Sequence, residues 1–132
     1  MKIPKMAYEA IERSLRDSLD ADLEAEAAAL GFPQPAESRV IIERLARMVG
    51  GAREADEQHV NLDLRMASMD DVSCLLGVVT GLFLTHKTMN HIMLEDGDFG
   101  SAMEVATVGR AIGIAGKRIM DFYKSARSAA LN

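Results

Sequence analysis

Apolar residues recur at intervals of three and four along most of this chain, and this spacing constrains the fold more than any other feature. Such intervals place one apolar stripe along one face of an α-helix. The composition agrees, because the helix-forming residues Ala, Leu, Met, Glu and Arg are abundant. The pattern predicts an all-α chain. In the last third an alternating 3-4 spacing joins Val105, Val108, Ile112, Ala115, Ile119, Phe122 and Ala126.

A second long pattern occupies the middle of the chain. It has the alternating 4-3 spacing of a packed helix seam, and a pair of glycines, Gly50 and Gly51, interrupts it. The spacing keeps its register on both sides of this pair, which predicts one continuous helix that bends there. The residues of this seam are Ile41, Leu45, Met48, Ala52, Ala55, His59, Leu62 and Met66.

Capping and turn residues set the remaining boundaries. Pro4 suits a first helical turn, Gly31 suits a helix end, and the segments SMDD and SAME have the form of N-terminal caps. With short connections, the expected architecture is a single domain over residues 1–132, an antiparallel bundle of about four helices. The predicted helices are A (about 5–30), B (about 36–67), C (about 69–94) and D (about 101–130).

The glycine-rich segment VGRAIGIAGKR, residues 108–118, nearly has the form of a phosphate-binding loop. Ala111 stands where that motif needs its first glycine, and Arg118 stands where it needs Ser or Thr. We therefore interpret the segment as the small-residue face of helix D, since small residues let two helix backbones approach closely. A hairpin of C and D about Gly97 would bring Gly81 opposite Gly113. The predicted helix-packing or oligomer-interface glycines are Gly77, Gly81, Gly109, Gly113 and Gly116.

Motifs of catalysis and metal binding are missing. No Glu-x-x-His pair and no Gly-x-Ser-x-Gly segment occurs. Cys74, the only cysteine, lies in an apolar run, so we expect a buried, unreactive thiol. The sequence predicts no catalytic residue, no cofactor and no metal ligand, and therefore a protein that is not an enzyme.

Two sets of polar residues are candidates for binding. His59, His86 and Asn90 fall on inward-facing stripes, where they would either fix helix register or line a pocket. His59 and His86 should lie roughly 15 Å apart at 1.5 Å per helical residue, too far for one site. The second set, Arg110, Lys117 and Arg118, forms a basic stripe on helix D. This stripe would either hold an anion or be a solvated face near the acidic helix A.

Charge and hydropathy restrict the functional classes. The net charge of −5 argues against general nucleic-acid binding. The longest apolar run, Val72 to Leu84, has about 13 residues, short of the ~20 that cross a membrane, and the N-terminal segment is charged. We expect a cytoplasmic, non-enzymatic regulatory or adaptor protein. It would bind or sequester another protein as a homo-oligomer, with a dimer favoured. The alternative is a protein that binds a small ligand or an anion such as a nucleotide messenger.

Overall fold

The computed structural model describes residues 1–20, 23–31 and 36–131. The chain is mainly helical and carries one small three-stranded sheet, which confirms the predicted helical class. The helices are α1 (Lys5–Asp20), α2 (Leu23–Ala29), α3 (Ala36–Gly50), α4 (Met69–Glu95) and α5 (Phe99–Leu131). The strands are β1 (Lys2–Pro4), β2 (Arg53–Glu54) and β3 (His59–Asn61).

The prediction of one helix B over residues 36–67 is wrong beyond Gly50. Helix α3 ends there, and the following residues form β2 and β3. The strand order is β1-β3-β2, and both pairings are antiparallel, with Ile3 opposite Val60. Two consecutive glycines lose more backbone freedom in a helix than other residues do. No packing at this point offsets that loss, because an added Cβ at Gly50 would contact nothing within 4 Å.

Residues 60–65 carry the period of a strand rather than of a helix. Val60, Leu62 and Leu64 are buried. The residues between and after them, Asn61, Asp63 and Arg65, are exposed. Side chains of an extended chain alternate between two faces. This alternation seats β3 and the residues after it on the core.

Helix A was predicted over residues 5–30. Its positions 21 and 22 lie outside the described residues, and the flanking parts form α1 and α2. Ala7, Ile11 and Leu15 of α1 are buried along one face, as their spacing of four predicts. Gly31 follows α2 with φ of +82°, the left-handed conformation that glycine adopts readily after a helix.

Helices α4 and α5 begin with side-chain caps. The Ser68 hydroxyl accepts a hydrogen bond from the Asp71 backbone N–H at 3.1 Å. The predicted cap at Ser101 is wrong, because α5 begins at Phe99 and the Asp98 carboxylate instead accepts from the Ser101 N–H at 3.2 Å. Gly97, with φ of +78°, makes the turn between α4 and α5.

The core involves the first half of α4 and the middle of α5. It is built against α1, α3 and β1. The buried side chains that the two long helices contribute to it are Val72, Leu75, Leu76 and Val79 of α4, and Ala111, Ile112, Ala115 and Ile119 of α5. Between residues 82 and 110 only Ala102 and Gly109 are buried. We call residues 82–110 the distal arm, which comprises the second half of α4, the turn and the first third of α5.

Candidate functional site

Three glycines of α5 lie directly against side chains of α4. A Cβ added at Gly109 would lie 3.3 Å from His86 Cβ, one at Gly113 would lie 3.2 Å from Phe83 Cε2, and one at Gly116 would lie 3.2 Å from Val79 Cγ1. All three distances are shorter than an ordinary carbon–carbon contact of about 3.5–4.0 Å. The absent side chains therefore allow the two helices to approach.

Gly77 and Gly81 do not take part in this contact. Both are exposed, and an added Cβ at either position would meet nothing within 4 Å. The predicted pairing of Gly81 with Gly113 inside the chain is wrong, because the Phe83 ring lies against Gly113 instead. α4 turns Leu75, Leu76 and Val79 toward the core, and on a helix of 3.6 residues per turn this rotates the two glycines outward.

His86 and Asn90 occupy the inner side of the distal arm and are half-buried. The His86 Nδ1 lies 2.8 Å from the Leu82 carbonyl, which can only accept, so this nitrogen donates. The Asn90 Nδ2 donates across the helix pair to the Ala102 carbonyl at 2.7 Å. These bonds leave His86 Nε2 and the Asn90 Oδ1 for other partners.

A pocket of about 220 Å³ opens beside these two side chains, and we call it the arm pocket. Its charged lining residues are Lys87 and Arg110, and neither forms a salt bridge within the described part of the chain. No carboxylate is among the described residues that line it. The lining residues are Phe83, His86, Lys87, Asn90, Val105, Ala106, Gly109 and Arg110.

The basic stripe predicted on α5 is divided in the structure. The Lys117 ammonium lies 3.3 Å from the Asp121 carboxylate one turn away. The Arg118 guanidinium donates to the Lys2 carbonyl and so joins α5 to β1. Of the three predicted anion-binding residues, the arm pocket contains Arg110 alone.

Lys87 was not singled out from the sequence, although a signal was available. It adjoins His86. In a hairpin about Gly97, residues at similar sequence distances from Gly97 would lie opposite each other, and this would set Lys87 close to Arg110. Sequence distance alone predicts only positions along the two helices. The structure shows that the side chains of Lys87 and Arg110 line the same pocket.

His59 lies in β3 rather than on a helix seam, and it does not line the arm pocket. Its Nδ1 is 2.9 Å from the Asp56 carboxylate. This hydrogen bond, together with one from the Gln58 backbone N–H, lowers the pKa of Asp56 from 3.8 to about 2. His59 therefore stabilises the turn between β2 and β3.

Two wider grooves lie along α1. The larger, of about 640 Å³, separates α1 from the base of the distal arm, and the other, of about 580 Å³, separates α1 from β3 and α5. Each is lined by both carboxylates and cations, for example Glu9 and Arg13 in the first and Glu57 and Arg110 in the second. Neither groove selects one sign of ligand charge.

Large apolar side chains are exposed along the distal arm. Phe99 and Met103, one helical turn apart at the start of α5, are 68% and 72% exposed. Soluble monomers rarely expose large contiguous apolar patches, whereas single exposed apolar residues are common. The exposed residues of the arm are Phe83, Leu84, Met89, Ile92, Leu94, Phe99 and Met103.

Cys74 is exposed on α4, so the expectation of a buried thiol is wrong. Across residues 1–20, 23–31 and 36–131 no three His, Cys, Asp or Glu side chains are grouped closely enough to hold a metal ion.

α4 is long and apolar enough to cross a membrane, by length and composition only. Over 18 consecutive residues of α4 the mean hydropathy is 1.3, and 22% of this segment is buried. The inner side of the helix, from Val72 to Val79, forms part of the core.

No protein-family model, no curated protein and no solved structure matches this chain.

Proposed function

We propose that this protein is a non-enzymatic regulatory or interaction protein that binds or sequesters another protein, and that it works as a homodimer. The distal arm is the docking surface for the partner. The observation that carries the proposal is the group of seven large apolar side chains exposed between residues 83 and 103. Their burial against a partner would be favourable at roughly 25 cal/mol per Å² of apolar surface removed from water.

We infer further that α4 and α5 form an antiparallel hairpin within a helical bundle. The contacting glycines run along α5 from Gly109 to Gly116. Their partners on α4 run in the opposite direction along the chain, from residue 86 through 83 to 79. This arrangement supports the proposal, because the glycines leave no large side chain of α5 in the contact, and the side chains that enter it come from α4. The apolar side chains of the arm are then free to face outward.

The charges of the arm indicate the character of the partner. Glu95, Asp96 and Asp98 surround the turn beside Phe99, and His91 lies 3.1 Å from Glu95. Charge complementarity at the rim steers association and selects partners. We therefore expect a partner with an apolar patch, such as one face of an amphipathic helix, bordered by basic residues.

Capture experiments with matched variants test this proposal. The double variant Phe99→Ser/Met103→Ser removes two anchors, and both sites are so exposed that the fold should be retained. The control is Met66→Ser, which removes a methionine that is 96% exposed outside the arm. We expect a partner captured from the source cell to be lost with the double variant and retained with the control. Equal capture by all three proteins would contradict a docking role for the arm.

A second candidate function is the binding of a small anion in the arm pocket. The observation that favours it is the convergence of Lys87 and Arg110, both without salt bridges in the described chain, beside Asn90. A guanidinium and an ammonium are common ligands for phosphate oxygens. Ligand that binds only the folded state raises the melting temperature.

Thermal denaturation with inorganic phosphate and with nucleotides tests this candidate. We expect the melting temperature to rise with ligand concentration in the natural protein and not in Arg110→Gln. Lys117→Gln is the matched control, since Lys117 lies outside the pocket and bonds Asp121. The absence of any ligand-dependent shift, or an equal shift in Arg110→Gln, would contradict it.

A further inference from the structure

The outward side of α4 lacks charge over most of its length. From Ser73 to Thr88 the exposed residues of α4 are small or apolar, with Lys87 as the one charged exception. Solvated helix faces normally carry charged residues. We call this surface the outer face of α4, and it consists of Ser73, Cys74, Gly77, Thr80, Gly81, Leu84 and Thr88.

We propose that a second copy of this chain covers the outer face of α4, with the two α4 helices antiparallel and Gly77 packed against Gly81 of the partner subunit. This inference rests on the homodimer of the proposed function and adds the interface and its orientation. A two-fold axis then passes beside position 79, midway between the two glycines. The same residues contribute from both copies, as in every closed dimer interface.

The space around the two glycines permits this contact. Among the residues that the structure describes, nothing lies within 4 Å of a Cβ built on Gly77 or Gly81. Glycines four residues apart lie on one side of a helix and let a second backbone approach closely. The α5 glycines are used inside the chain, whereas this pair on α4 is left open.

Charge complementarity favours a second copy in the antiparallel orientation. Asp70 lies nine residues before position 79 and Lys87 eight residues after it, and both are exposed. Neither forms a salt bridge among the described residues, whereas the neighbouring Asp71 is bonded to Arg44 at 3.0 Å. An antiparallel pair sets Asp70 level with Lys87 of the partner subunit. In a parallel pair, each charged residue would instead lie beside the identical residue of the other copy, and the two like charges would repel.

The small area of the outer face of α4 predicts a weak dimer. Sixteen helical residues extend about 24 Å, and a strip about 10 Å wide along them covers about 240 Å² per copy. Stable interfaces bury about 800 Å² per partner, so this one belongs with transient contacts. The dimer should therefore dissociate on dilution, and its midpoint should lie at accessible protein concentrations.

Disulfide cross-linking tests the orientation. In the antiparallel dimer the two Cys74 residues are ten residues apart along the helix axes, about 15 Å, whereas a disulfide needs Cα atoms within about 7 Å. Leu84→Cys places a thiol level with Cys74 of the partner subunit. On mild oxidation we expect Leu84→Cys to give a linked dimer. The natural protein and the double variant Cys74→Ser/Leu84→Cys should give none.

The opposite results would overturn the proposal. Efficient cross-linking of the natural protein through Cys74 would show a parallel pair. Failure of Leu84→Cys to cross-link at concentrations where the protein sediments as a dimer would place the interface elsewhere. α4 binding to phosphatidylcholine vesicles, with no dimer in their absence, would show that a lipid surface covers this face.

A steric variant gives a second readout that is independent of the thiol. We expect Gly81→Leu to weaken dimerisation at least tenfold in sedimentation equilibrium. Gly100→Leu is the matched control, because Gly100 is an exposed helical glycine of α5 with equally open surroundings. Equal dimerisation of both variants would overturn the proposal. Partner capture by Gly81→Leu separates this outcome from failure of the distal arm, since that variant leaves Phe99 and Met103 in place.

Discussion

Alanine substitution at two glycines should change the stability of this protein in opposite directions. At Gly81 an added Cβ would meet nothing within 4 Å, so Gly81→Ala keeps only the gain in helix propensity, about 0.5–1 kcal/mol. At Gly116 the added Cβ would lie 3.2 Å from Val79 Cγ1, and the Val79 side chain is 2% exposed in the core. That side chain has little space to move, so Gly116→Ala is opposed by a steric cost.

The propensity gain is common to both variants, so the difference between them measures the packing of α5 on α4. Overfilling a packed core by a methyl group typically costs about 1–3 kcal/mol. Gly81→Ala should therefore be more stable than Gly116→Ala by about 1–3 kcal/mol. For a chain of this length 1 kcal/mol corresponds to roughly 3–5 °C, which sets the expected separation of melting temperatures at about 3 °C or more.

Urea and thermal denaturation at protein concentrations low enough to exclude self-association would measure this difference. Gly113→Ala provides a graded comparison, since its added Cβ would meet the edge of the Phe83 ring, which is 36% exposed and has room to turn. It should fall between the other two variants. The reasoning would be refuted if Gly116→Ala proved as stable as Gly81→Ala, because Val79 would then not limit the approach of the two helices.

Three further substitutions test local interactions. Asp56→Asn should reduce acid sensitivity, because the hydrogen bond from His59 lowers the pKa of Asp56 from 3.8 to about 2; its stabilising contribution is complete above pH 3.8 and disappears as the pH falls through about 2, which melting curves between pH 5 and 2 would show. Asn90→Ala should lower the free energy of unfolding by about 1 kcal/mol in urea titrations, and Asn90→Asp by more, because a carboxylate would face the Ala102 carbonyl. Ser68→Ala removes the cap of α4 and should also cost about 1 kcal/mol, whereas an unchanged stability would show that the cap is dispensable.

Helical spacing was sufficient to predict the last two helices. α4 and α5 cover residues 69–95 and 99–131, and the seam residues Ile112, Ala115 and Ile119 are fully buried. These helices are long, so a period of 3.6 residues repeats over many turns, and the caps and the turn at Gly97 mark their ends.

The prediction for the middle of the chain was wrong because a helical spacing and a strand spacing of apolar residues coincide there. Ala55, His59, Leu62 and Met66 continue the spacing of α3, yet Val60, Leu62 and Leu64 alternate as in a strand. Spacing alone does not choose between these interpretations when the segment is short. The glycine pair decides it physically, since a helix that must pass through Gly50 and Gly51 without tertiary contacts is unfavourable.

The glycine contacts show which part of helix packing the sequence determines. A hairpin about Gly97 sets the level of each residue, and the observed contacts of Gly109 and Gly116 are within two residues of the expected level. Rotation about the helix axis is a separate variable, fixed by which side chains the rest of the core buries. The core takes Leu75, Leu76 and Val79, and this choice, made by contacts with other elements, turned Gly77 and Gly81 outward.

This rotation also explains why the distal arm has so much exposed apolar surface. In the arm Gly109 lies against His86. Ala102 is buried, and the Asn90 side chain donates across the pair to the Ala102 carbonyl. On the α5 side this contact is made by small residues, and the side chains that enter it come from α4. Phe99 and Met103 consequently face solvent, although their residue types suit a core. The contact of α4 with the small residues of α5 thus leaves apolar side chains on the outside of the arm, which is the arrangement that the proposed docking surface needs.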